Sequence, residues 1–138
     1  MPKRDFLSLS DFSREELEAL LLRAIELKEE RSSNVVHNSL AGKTGILILA
    51  QNSTRTRIAF EAGMNQLGGH SIFLSDRDSQ ASRGESPEDF ARVVSEMADV
   101  VMTRHPEQKN IELLAKHASI PVINGMSSDL HPCQLLAD

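Results

Sequence analysis

Ser53-Thr54-Arg55-Thr56-Arg57 packs three hydroxyls and two guanidinium groups into five consecutive residues. The stretch follows Thr44 to Ala50 (TGILILA), a short continuously apolar run of the kind that forms a strand buried on both faces. Ser53 suits the N-cap of a helix beginning there. The cluster therefore falls where a strand hands over to a helix. The free N–H groups and the dipole at such a helix end favour an anion. Arginine adds always-charged, bidentate donors matched to phosphate geometry. A capped helix with two solvated arginines is the plain alternative for such a cluster, but placement after a buried strand favours a phosphate site.

Other polar groups belong to the same end of the fold. Arg104 closes the apolar run Asp99 to Thr103 (DVVMT), where burying a charge is costly unless a partner awaits it. A bound anion would be such a partner; a surface arginine at a strand end is the alternative. His131-Pro132-Cys133-Gln134 offers an imidazole and an amide. Both can donate to a carbonyl oxygen that gains charge during acyl transfer, although a lone histidine also serves structure. Cys133 has no paired base beside it and reads as a small buried residue rather than a nucleophile. Gln80, Arg83 and Glu85 lie in the polar stretch 75–85, for which a solvated loop is the simple reading.

Several chemistries are poorly supported. Gly42-Lys43-Thr44 resembles the end of a P-loop, but position 37 holds His37 rather than glycine, and the segment precedes a strand instead of following one. There is no GxGxxG pattern. The five histidines and one cysteine show no metal-ligand spacing, so neither a metal nor a cofactor is expected.

The elements that must position these residues can be read from pattern. Ser13-Arg14-Glu15-Glu16 is a capping box, and Leu17, Leu20, Leu21, Ala24 and Leu27 recur at helical spacing, which predicts an amphipathic helix over 13–31. A helix after Ser53 carries Ile58, Phe60, Met64 and Leu67 and ends at Gly68-Gly69. Ser71 to Leu74 is a short strand. Ser86 at N-cap and Pro87 at N1 start a helix whose inward stripe is expected at Phe90, Val93, Val94 and Met97. A strand at Asp99 to Thr103, a helix over 107–118 with Ile111, Leu114 and Ala115, and a strand at Pro121 to Asn124 follow. A further helix opens at residue 131. Strands alternating with helices imply parallel crossovers, hence an α/β three-layer sandwich with a four-stranded parallel sheet and helices on both faces. Ligands of such sheets bind beyond the carboxyl ends of the strands. Gln51 to Arg57, Arg104-His105 and His131 to Gln134 all fall there.

Bulk properties narrow the class. The chain has 138 residues, about one domain's worth, and is 40% hydrophobic with no Trp or Tyr, so its core rests on aliphatic side chains. Its net charge of −5 argues against an electrostatic nucleic-acid binder. No apolar run reaches the roughly 20 residues of a membrane span, and the first residues lack the apolar stretch of a signal peptide. With one cysteine, no internal disulfide can form, and a cytoplasmic location is expected.

Taken together, Ser53-Thr54-Arg55-Thr56-Arg57, Phe60-Glu61-x-Gly63-x-x-x-Leu67-Gly68-Gly69, Arg83-Gly84-Glu85-Ser86, and Val122-Ile123-Asn124-Gly125 through His131-Pro132-Cys133-Gln134 resemble the transcarbamylases in order and spacing across nearly the whole chain. The opening Asp5-Phe6-Leu7-Ser8-Leu9 is similar too. His-Pro-Cys-Gln resembles the ornithine branch, whereas the aspartate branch usually has Thr in the third place. The resemblance implies that an amine attacks carbamoyl phosphate, a tetrahedral oxyanion forms, and phosphate leaves. For ornithine the product would be citrulline. It assigns Ser53, Thr54, Arg55 and Thr56 to the phosphate, and Arg104, His131 and Gln134 to the carbamoyl group. Gln80 would reach a neighbouring subunit's site within a homotrimer, and Arg57 would serve structure, paired with Glu61.

The resemblance also implies a second, amino-acid-binding domain. Residues 1–138 are expected to be the carbamoyl-phosphate-binding domain alone, with poor turnover by itself, in keeping with a helix at 131 that has about two turns. Two departures bear on amine specificity and carbamoyl-phosphate affinity. Leu49-Ala50-Gln51 stands where the family often has Phe-x-Lys, and His105-Pro106 follows Arg104 where Thr-Phe is common. The competing readings are a carbamoyltransferase for another amine, such as aspartate or putrescine, and a non-catalytic anion-binding or assembly domain.

Overall fold

The computed structural model describes residues 2–50, 53–75 and 86–138. Gln80, Arg83 and Glu85 lie outside the described residues. Helices α1 (Arg14–Ser32), α2 (Thr54–Gln66), α3 (Pro87–Met97), α4 (Gln108–His117) and α5 (Pro132–Ala137) alternate with strands β1 (Thr44–Leu49), β2 (His70–Ser75), β3 (Val100–Arg104) and β4 (Val122–Met126). The four strands form one sheet in the order β2-β1-β3-β4, and every pairing is parallel.

The local signals act as their chemistry dictates. Ser13 Oγ accepts the Glu16 N–H at 3.1 Å, and the Glu16 carboxylate accepts the Ser13 N–H at 3.1 Å, closing the capping box of α1. Ser86 caps α3 by accepting the Asp89 N–H, with Pro87 in the first turn. Gly68 leaves α2 at φ +90°, where a β-carbon would sit 3.0 Å from the Asn38 Cα, so glycine is required both by dihedral and by space.

Two cores flank the sheet. On one face Ile46, Ile48, Val101 and Val122 pack with Phe90, Ala91 and Val94 of α3 and Ile111, Leu114 and Ala115 of α4. On the other, Leu47, Leu49 and Met102 pack with Phe60 of α2, Phe73 and Ile123. Alternate residues of one strand thus serve opposite layers, which is why β1 reads as uninterrupted apolar sequence. The expected α/β sandwich with helices on both faces is the observed one.

Three details differ from the pattern reading. In α3 the inward stripe is Phe90, Ala91 and Val94, while Val93 and Met97 face outward, 51% and 70% exposed. Helix α1 buries none of its residues, and Leu20, Leu21, Leu22 and Ile25 lie exposed. The N-terminal segment also extends the sheet. Phe6 bridges Ile123 in parallel, its N–H donating to Val122 O and its carbonyl accepting from the Asn124 N–H, each at 2.8 Å. That segment covers the edge of β4.

Candidate functional site

The chain runs outward from β1 to β2 and returns to place β3 on the other side of β1. The carboxyl ends of β1 and β3 therefore flank a topological switch point, the crevice where open parallel sheets take ligands. Ala50 N donates to Arg104 O at 3.0 Å, holding the two strand ends together just before α2. Arg104 terminates β3 in the same layer.

Helix α2 opens at this crevice. Ser53 adopts an extended backbone (φ −144°, ψ 103°), and its Oγ accepts the Thr56 N–H. The N–H groups of Thr54 and Arg55, one turn from any intrahelical acceptor, are left to the crevice by helix geometry. Thr56 Oγ1 accepts from Ser53 Oγ at 3.0 Å and from Arg104 Nη1 at 3.1 Å. The second of these bonds joins α2 to the end of β3.

The third contribution arrives through β4. Its register shifts between Thr103 and Arg104, so that Arg104 pairs with Met126. The chain then turns through Ser127 to Leu130 and enters α5. His131 is the N-cap of that helix but makes no side-chain cap bond, so its ring is not spent on the helix end.

Ser53, Arg55, Thr56, Arg104, Met126, His131 and Gln134 line one recess of about 390 Å³. Six of these seven were expected from sequence. Thr54 heads α2 but its side chain does not line the recess, and Gln80 falls outside the described residues. Met126 lies beyond the strand expected at Pro121 to Asn124, because β4 runs two residues further; the apolar end of a longer strand is its only signal in the sequence. Gln134 lines the recess while its amide nitrogen donates to Asp138 Oδ1 at 2.9 Å.

Electrostatically the recess suits an acceptor-rich ligand. Arg55 and Arg104 bring fixed positive charge. Among the described residues, Arg104 Nε and His131 Nδ1 are buried without a hydrogen-bond partner. Such atoms are costly unless something meets them. Burial, and secondarily the Arg104 guanidinium, push the His131 pKa down from its ordinary 6.5, with Asp138 opposing. The imidazole is thus held neutral, with one ring N–H to donate.

Neighbouring groups have other duties. The Arg57 guanidinium lies 3.7 Å from the Phe73 ring centroid and its Nε donates to Glu61 at 3.2 Å, the structural pairing with Glu61 that was expected. Burial raises the Cys133 thiol to about 11, and its Sγ lies 3.5 Å from Asn124 O, so it is no nucleophile at neutral pH. No group of three or more potential metal-ligating side chains exists among the described residues. No helix among them is long and apolar enough to cross a membrane. A larger groove of about 900 Å³ lies between the ends of α1 and α2, lined by Leu27, Arg31, Val35, His37 and Gly68. It faces the carboxyl end of α2, whose dipole disfavours an anion.

Residues 4–138 match the family model for the aspartate/ornithine carbamoyltransferase carbamoyl-P binding domain. The chain is 52% identical over 138 residues to an ornithine carbamoyltransferase of Hydrogenovibrio crunogenus, covering all of this chain and 46% of that protein. It is 53% identical over 135 residues to one from Anoxybacillus flavithermus, covering 98% and 43%. The chain spans less than half the length of these curated relatives. Among solved structures it superposes on ornithine carbamoyltransferase from Pyrococcus furiosus with a TM-score of 0.95 at 45% identity, covering 98% of this chain and 43% of the other. Aspartate transcarbamoylase from Trypanosoma cruzi, in complex with aspartate and phosphate, gives 0.89 at 30% identity, covering 98% and 42%.

Proposed function

Because the chain belongs to the aspartate/ornithine carbamoyltransferase family, as its carbamoyl-phosphate-binding domain, we propose that the recess holds carbamoyl phosphate for transfer to the side-chain amine of ornithine. The observation that carries the reading is the convergence of Ser53, Arg55, Thr56, Arg104 and His131 on one recess at the switch point. The phosphate sits at the head of α2, met by the N–H groups of Thr54 and Arg55, the hydroxyls of Ser53 and Thr56, and the Arg55 guanidinium. The carbonyl oxygen faces Arg104, His131 and Gln134.

Attack by the amine forms a C–N bond and places negative charge on that oxygen. Arg104 and the neutral His131 donate to it while the charge develops, which lowers the barrier more than it stabilises the bound ground state. The C–O bond to phosphate then breaks, phosphate leaves with the electron pair, and the amine's proton is lost. Citrulline and phosphate are the products. Ornithine is favoured over aspartate or putrescine by Cys133 in the His-Pro-Cys-Gln motif and by the names of the curated relatives given above. Residues 1–138 form the carbamoyl-phosphate half, and a second domain supplies the amine site and excludes water on closure. In the whole protein, a cytoplasmic homotrimer, Gln80 completes a neighbour's site. No metal or cofactor takes part.

Amide and side-chain chemical shifts during titration of the chain with carbamoyl phosphate test this reading. The largest movements are expected at Thr54, Arg55, Arg104 and His131. Movement confined to the groove around Leu27 and Val35, or none that saturates, would refute it. Turnover of the whole protein with ornithine, aspartate and putrescine decides the amine.

A further inference from the structure

His131 must be held at one place and angle to donate to a reacting oxygen, yet it is the first residue after a turn. Its own ring makes no cap bond. What fixes the turn is a buried polar knot below the recess. Ser127 is 4% exposed and Asn124 is fully buried. Ser127 Oγ accepts the backbone N–H groups of Leu130 at 3.0 Å and Asp129 at 3.3 Å, and the Ser127 N–H donates to Leu130 O at 2.8 Å. One side-chain oxygen thereby holds Asp129 and Leu130, the two residues that lead into His131.

That oxygen is itself anchored. Ser127 Oγ donates to Gln108 Oε1 at 2.6 Å, and the same Gln108 oxygen accepts from Asn124 Nδ2 at 3.2 Å. The second Asn124 Nδ2 proton goes to Leu7 O at 3.1 Å. Gln108 opens α4, so the anchor is carried by an element rooted in the main core. Two backbone bonds brace the same junction, Ser128 N to Pro106 O at 2.9 Å and His105 N to Met126 O at 3.0 Å.

We infer that Gln108 is a positioning residue for His131, acting through Ser127: its side-chain oxygen fixes the 127–130 turn and so sets where the imidazole meets the ligand. The role of His131 toward the carbamoyl oxygen rests on the proposed function; the coupling of Gln108 to the His131 ring does not. A donor-only or apolar side chain at position 108 removes the acceptor that the Ser127 hydroxyl and Asn124 amide share, leaving the hydroxyl only the longer bond to Leu130 O at 3.3 Å and the amide only Leu7 O. A carboxylate keeps the acceptor and suits the first turn of a helix.

The test uses Gln108→Met, which keeps length without an acceptor, Gln108→Glu, which keeps the acceptor, and Ser127→Ala. Each is followed by His131 ring resonances and by carbamoyl phosphate titration. Gln108→Met and Ser127→Ala should shift or broaden the His131 signals and weaken binding about tenfold, while Gln108→Glu restores both. If Gln108→Met lowers only the melting temperature, with His131 signals and affinity as in the parent, the inference is overturned. If Gln108→Met does not fold, Ser127→Ala decides by the same two readouts. Absence of carbamoyl phosphate binding in the parent chain would defeat the functional reading instead, and the His131 signals alone would then decide the coupling.

Discussion

Arg104 Nη1 donates to Thr56 Oγ1 at 3.1 Å, across 48 residues of chain, and the same oxygen accepts from Ser53 Oγ at 3.0 Å. A threonine hydroxyl has two acceptor lone pairs and one proton. While Ser53 keeps that bond, both lone pairs are engaged and Thr56 meets a ligand only as a donor. The recess is thereby biased toward ligand atoms that accept, as phosphate oxygens do.

Thr56→Val removes that donor and also strips Arg104 and Ser53 of an acceptor. Carbamoyl phosphate affinity should fall by about 10- to 100-fold, the loss of one or two bonds to a charged ligand at roughly 1.5–3 kcal/mol. Thr56→Ser should retain most of it. Thr54→Val, whose side chain does not line the recess, should have the smaller effect in the same titration.

The depressed His131 pKa has a sign that can be measured. Burial and Arg104 lower it in the folded chain, so the unfolded chain, near 6.5, binds the proton more readily. His131 therefore contributes stability that is present above pH 6.5 and is lost as pH falls from there through the folded pKa. Urea melts of His131→Gln should show a flatter pH dependence in that window. A bound phosphate offsets the Arg104 field, so saturating ligand should raise the His131 midpoint in an NMR titration.

Cys133 should be slow to alkylate. Its thiol is pushed up to about 11 by burial, which leaves little thiolate at neutral pH. Iodoacetamide should label it slowly in the folded chain and rapidly in urea. Cys133→Ala should leave carbamoyl phosphate affinity within about twofold, since the thiol touches Asn124 O rather than the recess.

Arg55 and Arg57 sit two residues apart and should behave oppositely. Arg57 stacks on Phe73 and pairs with Glu61, both partly exposed arrangements. Arg57→Ala should cost about 1 kcal/mol of stability with little change in ligand affinity. Arg55→Ala should do the reverse. Chemical denaturation and calorimetry on the two variants separate the effects.

Much of this was legible because its causes are local. The capping groups at Ser13, Ser53 and Ser86 start helices by bonds to residues three positions away. Strand β1 is apolar throughout because both faces are covered. The site followed from chain order, since polar residues after buried parallel strands must gather at one sheet edge. What escaped depends on partners distant in sequence. The exposure of the α1 leucines is set by what lies beside that helix, and periodicity marks a stripe without saying what it meets. In α3 Ala91 lies inward and Val93 and Met97 outward, a matter of how the helix is turned against its neighbours rather than of pattern. The Phe6 bridge to Ile123 and the Gln108–Ser127 bond join segments whose meeting only the fold creates.

The claim that the recess is a carbamoyl phosphate site is tested most directly by calorimetric titration of the 138-residue chain with that ligand, beside Arg55→Ala. Saturable binding by the parent, weakened at least tenfold in the variant (about 1.4 kcal/mol), is the expected result. Equal affinity in both, or no binding by a parent chain that circular dichroism shows to be folded, would contradict it.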